Sequence, residues 1–122
     1  MARYVDGFVI PIQKKKVKAY LKQARWGGRL WRKHGALAYY ECVGDDLDVP
    51  FGQGFKGLGR LKKDETAVFS FIVYRSRAHR DRVNAAVMAD PAMTGMMKEM
   101  ERNPPFPVAR MAMGGFKTIV AW

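Results

Sequence analysis

Alternating side chains predict the first of four β-strands. Even positions of residues 4–12 carry Tyr, Asp, Phe and Ile, while the odd positions carry Val, Gly and Pro. A period of two is the mark of a strand, and this strand is apolar or small on both faces apart from Asp6. Strands of that kind are usually covered on both sides. We predict further strands at residues 36–44, 65–74 and 109–122, of which 65–74 is almost wholly β-branched or aromatic.

Spacings of three and four residues predict helices between these strands. The apolar face of the first helix, within residues 14–34, is formed by Val17, Tyr20, Leu21, Ala24, Gly28 and Trp31. Gly35 is expected to end this helix. Ser76 is expected to cap the second helix, and Asp90 followed by Pro91 to start it again.

The element order is β-α-β-β-α-β, the ferredoxin-like α+β plan, with a four-stranded antiparallel sheet and the helices on one face. Residues 1–122 fit a single domain, with a Gly-rich arm at about 45–64. A loop of that length is more often functional than idle. No element remains to cover the second face of the sheet, so we predict a face-to-face homodimer.

The sequence has a large excess of positive charge. The chain has 22 Lys and Arg against 11 Asp and Glu, a formal net charge of +11. Eight basic side chains lie on the first helix away from its apolar face: Lys14, Lys15, Lys18, Lys22, Arg25, Arg29, Arg32 and Lys33. Such a surface either solubilises the protein or attracts nucleic acid or another polyanion. Contact with nucleic acid would be through phosphates and without sequence specificity.

Other features of the sequence predict a soluble, cytoplasmic protein. The start of the chain lacks the pattern of a signal peptide. No apolar run approaches the ~20 residues of a membrane-spanning helix, so no membrane partner is expected. Cys42 is the single cysteine, which precludes an internal disulfide and suits a reducing compartment. We expect Cys42 to be a small core residue.

The stretch GQGFKG, residues 52–57, has the spacing of a dinucleotide-binding loop. That fingerprint needs a strand directly before it and a helix that opens at its third glycine. Here Pro50 and Phe51 intervene and another strand follows, so no helix N-terminus is expected to hold a pyrophosphate. We predict no cofactor, and two separated histidines with one cysteine predict no metal site.

Four polar side chains are weak candidates for catalysis. Asp6, Glu41 and Ser70 interrupt otherwise apolar strands, and His34 ends the first helix. Asp6 is expected either to pair with a basic group such as Arg110, which we favour, or to act as a general base with a raised pKa. The helix dipole alone explains a histidine at the position of His34.

Three further features concern burial. Methionines at 93, 96, 97 and 100 share one helical face, and we expect them, with those at 111 and 113, to lie in the core rather than around a ligand. Their flexibility would nevertheless suit a pocket of adaptable shape. Trp26, half a turn from the apolar face, and His79, in a basic turn, are both expected to be exposed.

Short motifs from Tyr4 to about Val120 resemble the bacterial YbaA-like family (domain of unknown function 1428). They are YVDGFV, HGAL, EC.GDD, DETAVFSFIVY, RD..N..VM.DP.M and RM..GGF, in that order. The resemblance implies the fold of the dimeric α/β barrels. That superfamily includes small monooxygenases without a prosthetic group, haem-degrading enzymes and proteins without known catalysis.

We therefore predict a dimeric α/β barrel that binds a small apolar or aromatic molecule in a pocket between sheet and helices, and we leave open whether it also turns this molecule over oxidatively. One alternative is a non-catalytic dimeric binding protein whose basic helix contacts nucleic acid or another polyanion. The other is a purely structural or regulatory dimer.

Overall fold

One antiparallel sheet organises the computed structural model, which describes residues 2–122. Its strands are β1 (Tyr4–Gln13), β2 (Ala38–Val43), β3 (Glu65–Tyr74) and β4 (Ala112–Lys117). Their spatial order is β2-β3-β1-β4, and each neighbouring pair is antiparallel. The ferredoxin-like α+β fold predicted from the sequence is therefore confirmed. β2 and β4 are the sheet edges, so the sheet of one chain does not close into a barrel.

Residues 2–122 form four α-helices. They are α1 (Val17–Lys33), α2 (Gly54–Leu58), α3 (Arg77–Ala89) and α4 (Pro91–Arg102). Local sequence signals mark the end of α1 and the starts of α3 and α4. Gly35, just after α1, has a φ of 112°, a left-handed conformation that glycine adopts at low cost. The Ser76 hydroxyl accepts from the His79 backbone N–H at 3.1 Å, and the Asp90 carboxylate accepts from the Ala92 N–H at 3.0 Å. These caps fix the starts of α3 and α4.

The core lies between the sheet and a layer formed by α1, α3 and α4. Alternate residues of β1 and β3 face this layer, and they include the buried Ile12, Val68 and Tyr74. Val83 and Val87 of α3 are fully buried in the same cluster as Tyr74. Burying each such aliphatic side chain contributes about 1.5–3 kcal/mol, so this face fixes the helices on the sheet.

The opposite face of the sheet, called here the open face, carries aromatic side chains. Tyr40 of β2 stacks on Phe71 of β3 with ring centroids 5.0 Å apart, and Phe69 lies 5.8 Å from Phe71. Tyr40 is 55% exposed and Phe116 of β4 is 62% exposed. Within residues 2–122, no helix layer covers these rings as α1, α3 and α4 cover the other face.

The Gly-rich arm connects β2 to β3 and reaches the open face, where Phe55 of α2 lies 6.3 Å from Phe69. A short helix does open within GQGFKG, at Gly54, so the expectation of no helix there is wrong. The helix has five residues, and it joins two antiparallel strands rather than the parallel strands of a dinucleotide-binding unit. Gly52 and Gly54 have φ of 61° and 72°, so glycines at these positions let the arm turn sharply.

Candidate functional site

A cavity of about 460 Å³ lies between the sheet and the helix layer. This volume falls within the range usual for small-molecule pockets. Side chains of β1 and β3 form its floor, among them Asp6, Phe8, Ser70 and Ile72. Further aromatic lining comes from Tyr20, Trp26, Trp31, Tyr39 and Phe106.

Seven of the chain's eight methionines line this cavity: Met88, Met93, Met96, Met97, Met100, Met111 and Met113. Met93 is buried, whereas Met88, Met97 and Met113 are 56%, 49% and 64% exposed and lie at the mouth. The prediction that these methionines belong to the core is correct for Met93, which is buried, and in part for Met100 and Met111, which pack half-buried against the core. It is wrong for Met97 and Met113. On α4 only Met93 is fully buried, so the following turns of its apolar face lie along the cavity.

Asp6 lies on the cavity floor and forms an ion pair. Its Oδ1 accepts from Arg80 Nη1 at 2.7 Å, and its Oδ2 accepts from Asn84 Nδ2 at 3.4 Å. The side chains of Asp6 and Arg80 are 6% and 19% exposed, so the pair is largely removed from water. The guanidinium of Arg80 also lies 4.9 Å from the ring centroid of Tyr4, a cation–π contact.

Arg110, the partner suggested from the sequence, does not pair with Asp6. Its Nη1 donates to Glu65 Oε2 at 2.7 Å instead, and the Arg110 guanidinium lowers the pKa of Glu65. The register explains the difference. Asp6 lies opposite Gly115 of β4, whereas Arg110 precedes β4 and so lies beyond the other end of the β1–β4 ladder.

Asn84 of α3 links Asp6 to two aromatic side chains. Trp31 Nε1 donates to Asn84 Oδ1 at 3.0 Å, and the Tyr74 hydroxyl donates to the same oxygen at 3.3 Å. Burial, with the charge of Asp6 adding to it, raises the pKa of Tyr74 above its ordinary value. The phenol therefore stays protonated and remains a donor, and this network holds the polar floor in one arrangement.

Glu41 lies at the β2 side of the cavity between two tyrosines. Tyr20 Oη donates to Glu41 Oε2 at 2.7 Å, and Tyr39 Oη donates to Glu41 Oε1 at 2.8 Å. Burial raises the pKa of Glu41, and the two tyrosine hydrogen bonds act in the opposite direction. Burial and the charge of Glu41 raise the pKa of both tyrosines, so both hydroxyls remain donors.

Two glycines of α1 make this arrangement fit. A Cβ added at Gly27 would lie 3.0 Å from the Tyr39 hydroxyl, and one added at Gly28 would lie 3.0 Å from the Tyr39 ring. Because neither glycine has a side chain, α1 can approach β2 closely. This approach brings Tyr20 of α1 within hydrogen-bond distance of Glu41.

Three of the four candidate catalytic residues meet at the cavity. Ser70 is paired with Glu41 on one side and with Phe8 on the other, and Asp6 follows on the same face of β1. His34 is not part of this group. It lies at the end of α1, where its Nε2 is 2.8 Å from Asp90 Oδ2 and so ties α1 to the start of α4.

Three sequence-based expectations about exposure are wrong. His79 is buried, because its Nδ1 accepts from the Arg75 backbone N–H at 2.9 Å and its ring packs on Tyr74; burial lowers its pKa. Trp26 is half-buried and lines the cavity. Cys42 is exposed, because it follows Glu41 in β2 and therefore lies on the open face.

Sequence reasoning gave no role to Arg80 and Asn84, which hold Asp6. They are four residues apart on α3, a spacing that places both side chains on one helix face. Both also belong to the RD..N motif quoted above. A polar pair at this spacing is the signal that could have identified them as partners of Asp6.

A second groove, of about 420 Å³, lies on the outer side of α1 against β2. Arg25, Arg29 and Arg32 line it, and it shares Tyr39 and Glu41 with the cavity. Arg32 is already engaged, since its Nη1 donates to the carbonyl of residue 36 at 2.8 Å and to that of residue 37.

Residues 2–122 contain no cluster of three His, Cys, Asp or Glu side chains that could hold a metal ion. In the same part of the chain, no helix combines the length and apolar character needed to cross a membrane.

Comparison with known proteins supplies the family. Residues 3–107 match the family described as Protein of unknown function (DUF1428). The chain belongs to this family. The Uncharacterized protein YbaA of Escherichia coli (strain K12) is 38% identical over 120 residues, which cover 97% of both chains, and the YbaA of Shigella flexneri gives the same values. The YbaA-like resemblance of the sequence motifs is thus confirmed.

A solved structure shows the same fold. It is a dimeric ferredoxin-like protein from an uncultured marine organism, with a TM-score of 0.52 and 9% sequence identity. The match covers 100% of this chain and 98% of the other. At this identity, the likeness concerns the fold alone.

Proposed function

We propose that this protein binds a small, mainly apolar or aromatic molecule in the cavity between the sheet and the helices. The observation that carries the proposal is the collection of every methionine after Met1 on this one cavity. Methionine side chains are flexible and polarisable, so they adapt to ligands of different shape. Aromatic rings and a few fixed polar groups complete the composition that is usual in ligand pockets.

Oxidative turnover of the bound molecule is the enzymatic form of this proposal. To distinguish turnover from binding alone, the protein is incubated with the bound molecule in air and the products are analysed. We also propose that the protein is located in the cytoplasm, as expected from its sequence.

Naphthylmethanol, a neutral aromatic probe, tests binding by calorimetry. The informative variant replaces Met97 and Met100 by Gln, because both line the cavity and one is at its mouth. The matched control replaces Lys98 and Glu101 by Gln, which repeats the spacing at exposed positions of the same helix. We expect the methionine variant to bind about tenfold more weakly and the control to match wild type within about twofold. Equal binding by all three proteins would contradict the proposed site.

We further propose that a second copy of the chain covers the open face. Tyr40, Phe69 and Phe116 are all exposed there, and monomers seldom expose apolar patches beyond a few hundred square ångströms. Two sheets packed face to face would form the dimeric α/β barrel expected from the family resemblance. The ferredoxin-like neighbour described above is itself dimeric, which supports the same arrangement.

Binding of a polyanion to α1 is a second candidate function. The groove lined by Arg25, Arg29 and Arg32 favours it, and residues 13–37 contain no acidic side chain. The test measures binding of mixed-sequence oligonucleotides over a range of salt concentrations. Replacement of Arg25 and Arg29 by Gln should lower the slope of log affinity against log salt by about 2, since each phosphate contact contributes roughly one unit. The same change at Arg77 and Arg82 on α3 serves as the control. Affinity that is independent of salt would exclude this function.

A further inference from the structure

Two carboxylates line the cavity, and the protein compensates only one of them. Arg80 is 2.7 Å from Asp6, so the two charges cancel. Glu41 is held by the neutral hydroxyls of Tyr20 and Tyr39. Across residues 2–122, no basic side chain forms an ion pair with Glu41.

The remaining charged groups around Glu41 do not change this balance. Arg25, Arg29 and Arg32 of α1 border the outer groove that Glu41 also borders, without an ion pair to it. The neighbouring helix α4 presents methionines to the cavity. An ionised Glu41 therefore gives the cavity one negative charge, although the chain as a whole carries +11.

An unpaired carboxylate among apolar side chains is costly unless a cation joins it. Burial raises the pKa of Glu41 accordingly. A carboxylate offers about four acceptor positions, of which the tyrosines occupy two. A donor within the cavity can use the others.

We infer that the ligand of the cavity is an apolar or aromatic amine, whose ammonium group binds Glu41 while its body contacts the methionines. This inference rests on the proposed function and narrows it to one ligand class. An ammonium group supplies charge-assisted hydrogen bonds, which are stronger than those of a neutral hydroxyl. Trp31 and Tyr39, whose rings are 6.3 Å apart, add aromatic faces that attract a cation. A carboxylate ligand would instead be repelled by Glu41.

Proton release follows from this mode of binding. Binding of an ammonium group favours the ionised form of Glu41, so at a pH near the raised pKa of Glu41 the ligand displaces a proton. Affinity therefore rises with pH through the raised pKa of Glu41, and falls again only when the amine loses its own proton near pH ~10.

Three probes that share one ring test the inference: naphthylmethylamine, naphthylmethanol and naphthoic acid. With wild type, we expect the amine to bind at least about tenfold more tightly than the alcohol, and the acid to bind most weakly. Glu41→Gln should lower the affinity for the amine to that of the alcohol, and leave the alcohol within about threefold. Tyr39→Phe, which keeps the carboxylate, should retain the preference for the amine. Titrations in two buffers of different ionisation enthalpy, repeated at several pH values down to about pH 4, should show proton release with the amine alone, and most of it near the pKa of Glu41.

The outcomes separate the two proposals. Equal affinity of wild type for amine and alcohol would overturn the amine inference and leave the apolar site standing, as would undiminished amine binding by Glu41→Gln. Failure of all three probes to bind would overturn the proposed function and the inference together. If Glu41→Gln does not fold, wild type alone still tests the amine inference, through the relative affinities of the three probes and the number of protons released on binding.

Discussion

Asp6 and Arg80 are 74 positions apart in the sequence, and their side chains meet at 2.7 Å at the floor of the cavity. The contact joins the central strand β1 to the first turn of α3. It also neutralises one of the two carboxylates that line the cavity, whereas Glu41, the other, forms no ion pair with a basic side chain of residues 2–122. One ion pair thus serves both the position of a helix and the charge of the site.

The Asp6–Arg80 pair is expected to stabilise the fold. Asp6→Asn should lower the free energy of unfolding by about 1–3 kcal/mol, because a charged hydrogen bond in a buried setting is lost. Asp81→Asn is the control, since Asp81 accepts from the same Arg80 at 2.8 Å but is 62% exposed. The control should change stability by less than about 0.5 kcal/mol in urea titrations. An Asp6→Asn protein as stable as wild type would instead favour a catalytic or binding role for Asp6.

The open face is expected to form the dimer interface. Light scattering should give a mass of roughly twice 13.9 kDa at micromolar concentration. Phe71→Asp places a charge at the centre of the aromatic group on β3 and should yield a folded monomer. Ala85→Asp, at an exposed position of α3, should remain dimeric. A monomeric wild type would exclude the barrel.

Acid stability should depend on Asp90. The hydrogen bond from His34, followed by those from Ala92 N–H and Lys33, lowers the pKa of Asp90 from 3.8 to about 2. A lowered pKa in the folded protein stabilises it above about pH 4, and this contribution disappears as the pH falls from about 4 to about 2. Asp90→Asn, which can still cap α4, should therefore be less stable than wild type near neutral pH.

The pH dependence distinguishes this effect from a general loss of stability. The difference in urea midpoint between Asp90→Asn and wild type should shrink as the pH is lowered toward about 2. Asp48→Asn, at an exposed ion pair of the arm, is the control and should stay near wild type throughout. A difference for Asp90→Asn that stays constant down to low pH would contradict the assignment.

The close approach of α1 to β2 predicts that two Gly→Ala changes in helices differ in their effect on stability. Gly95 of α4 has no atom within 4 Å of an added Cβ, so Gly95→Ala should stabilise by about 0.5–1 kcal/mol. At Gly27, the Cβ would lie 3.0 Å from the Tyr39 hydroxyl that donates to Glu41. Gly27→Ala should therefore lose this gain and weaken amine binding. Equal stabilisation by both changes, measured by thermal melts, would argue against a tight helix–strand contact.

Local signals predicted the fold well because they act over a few residues. The alternation in β1, the β-branched and aromatic residues of β3 and the Asp90–Pro91 helix start depend on near neighbours, and the order of elements then leaves few topologies. The same reasoning could have placed Cys42 on the open face. Successive side chains of a strand point to opposite faces of the sheet, and Cys42 directly follows Glu41, which faces the cavity. The exposed cysteine is an error of inference rather than a limit of the sequence.

The partners within the site could not be predicted in this way. Asp6 pairs with Arg80 because α3 packs on the sheet with Arg80 beside Asp6. It does not pair with Arg110 because the register of β4 places Gly115 opposite Asp6. Similarly, the apolar residues of α4 have the same spacing in the sequence whether the helix packs against the core or borders a cavity. Only the position of the helix, which buries Met93 and leaves Met97 half exposed, separates the two.

Methyl NMR of the methionines tests the central claim, that this cavity binds small apolar molecules, most directly. The protein is prepared with methyl-labelled methionine and titrated with naphthylmethanol. The signals of methionines that line the cavity, such as Met93, Met97 and Met100, should shift until they reach saturation. The Met97→Gln/Met100→Gln protein should show weaker binding by the same signals. Methionine signals that stay in place at high probe concentration, or shifts that grow without saturation, would contradict the account.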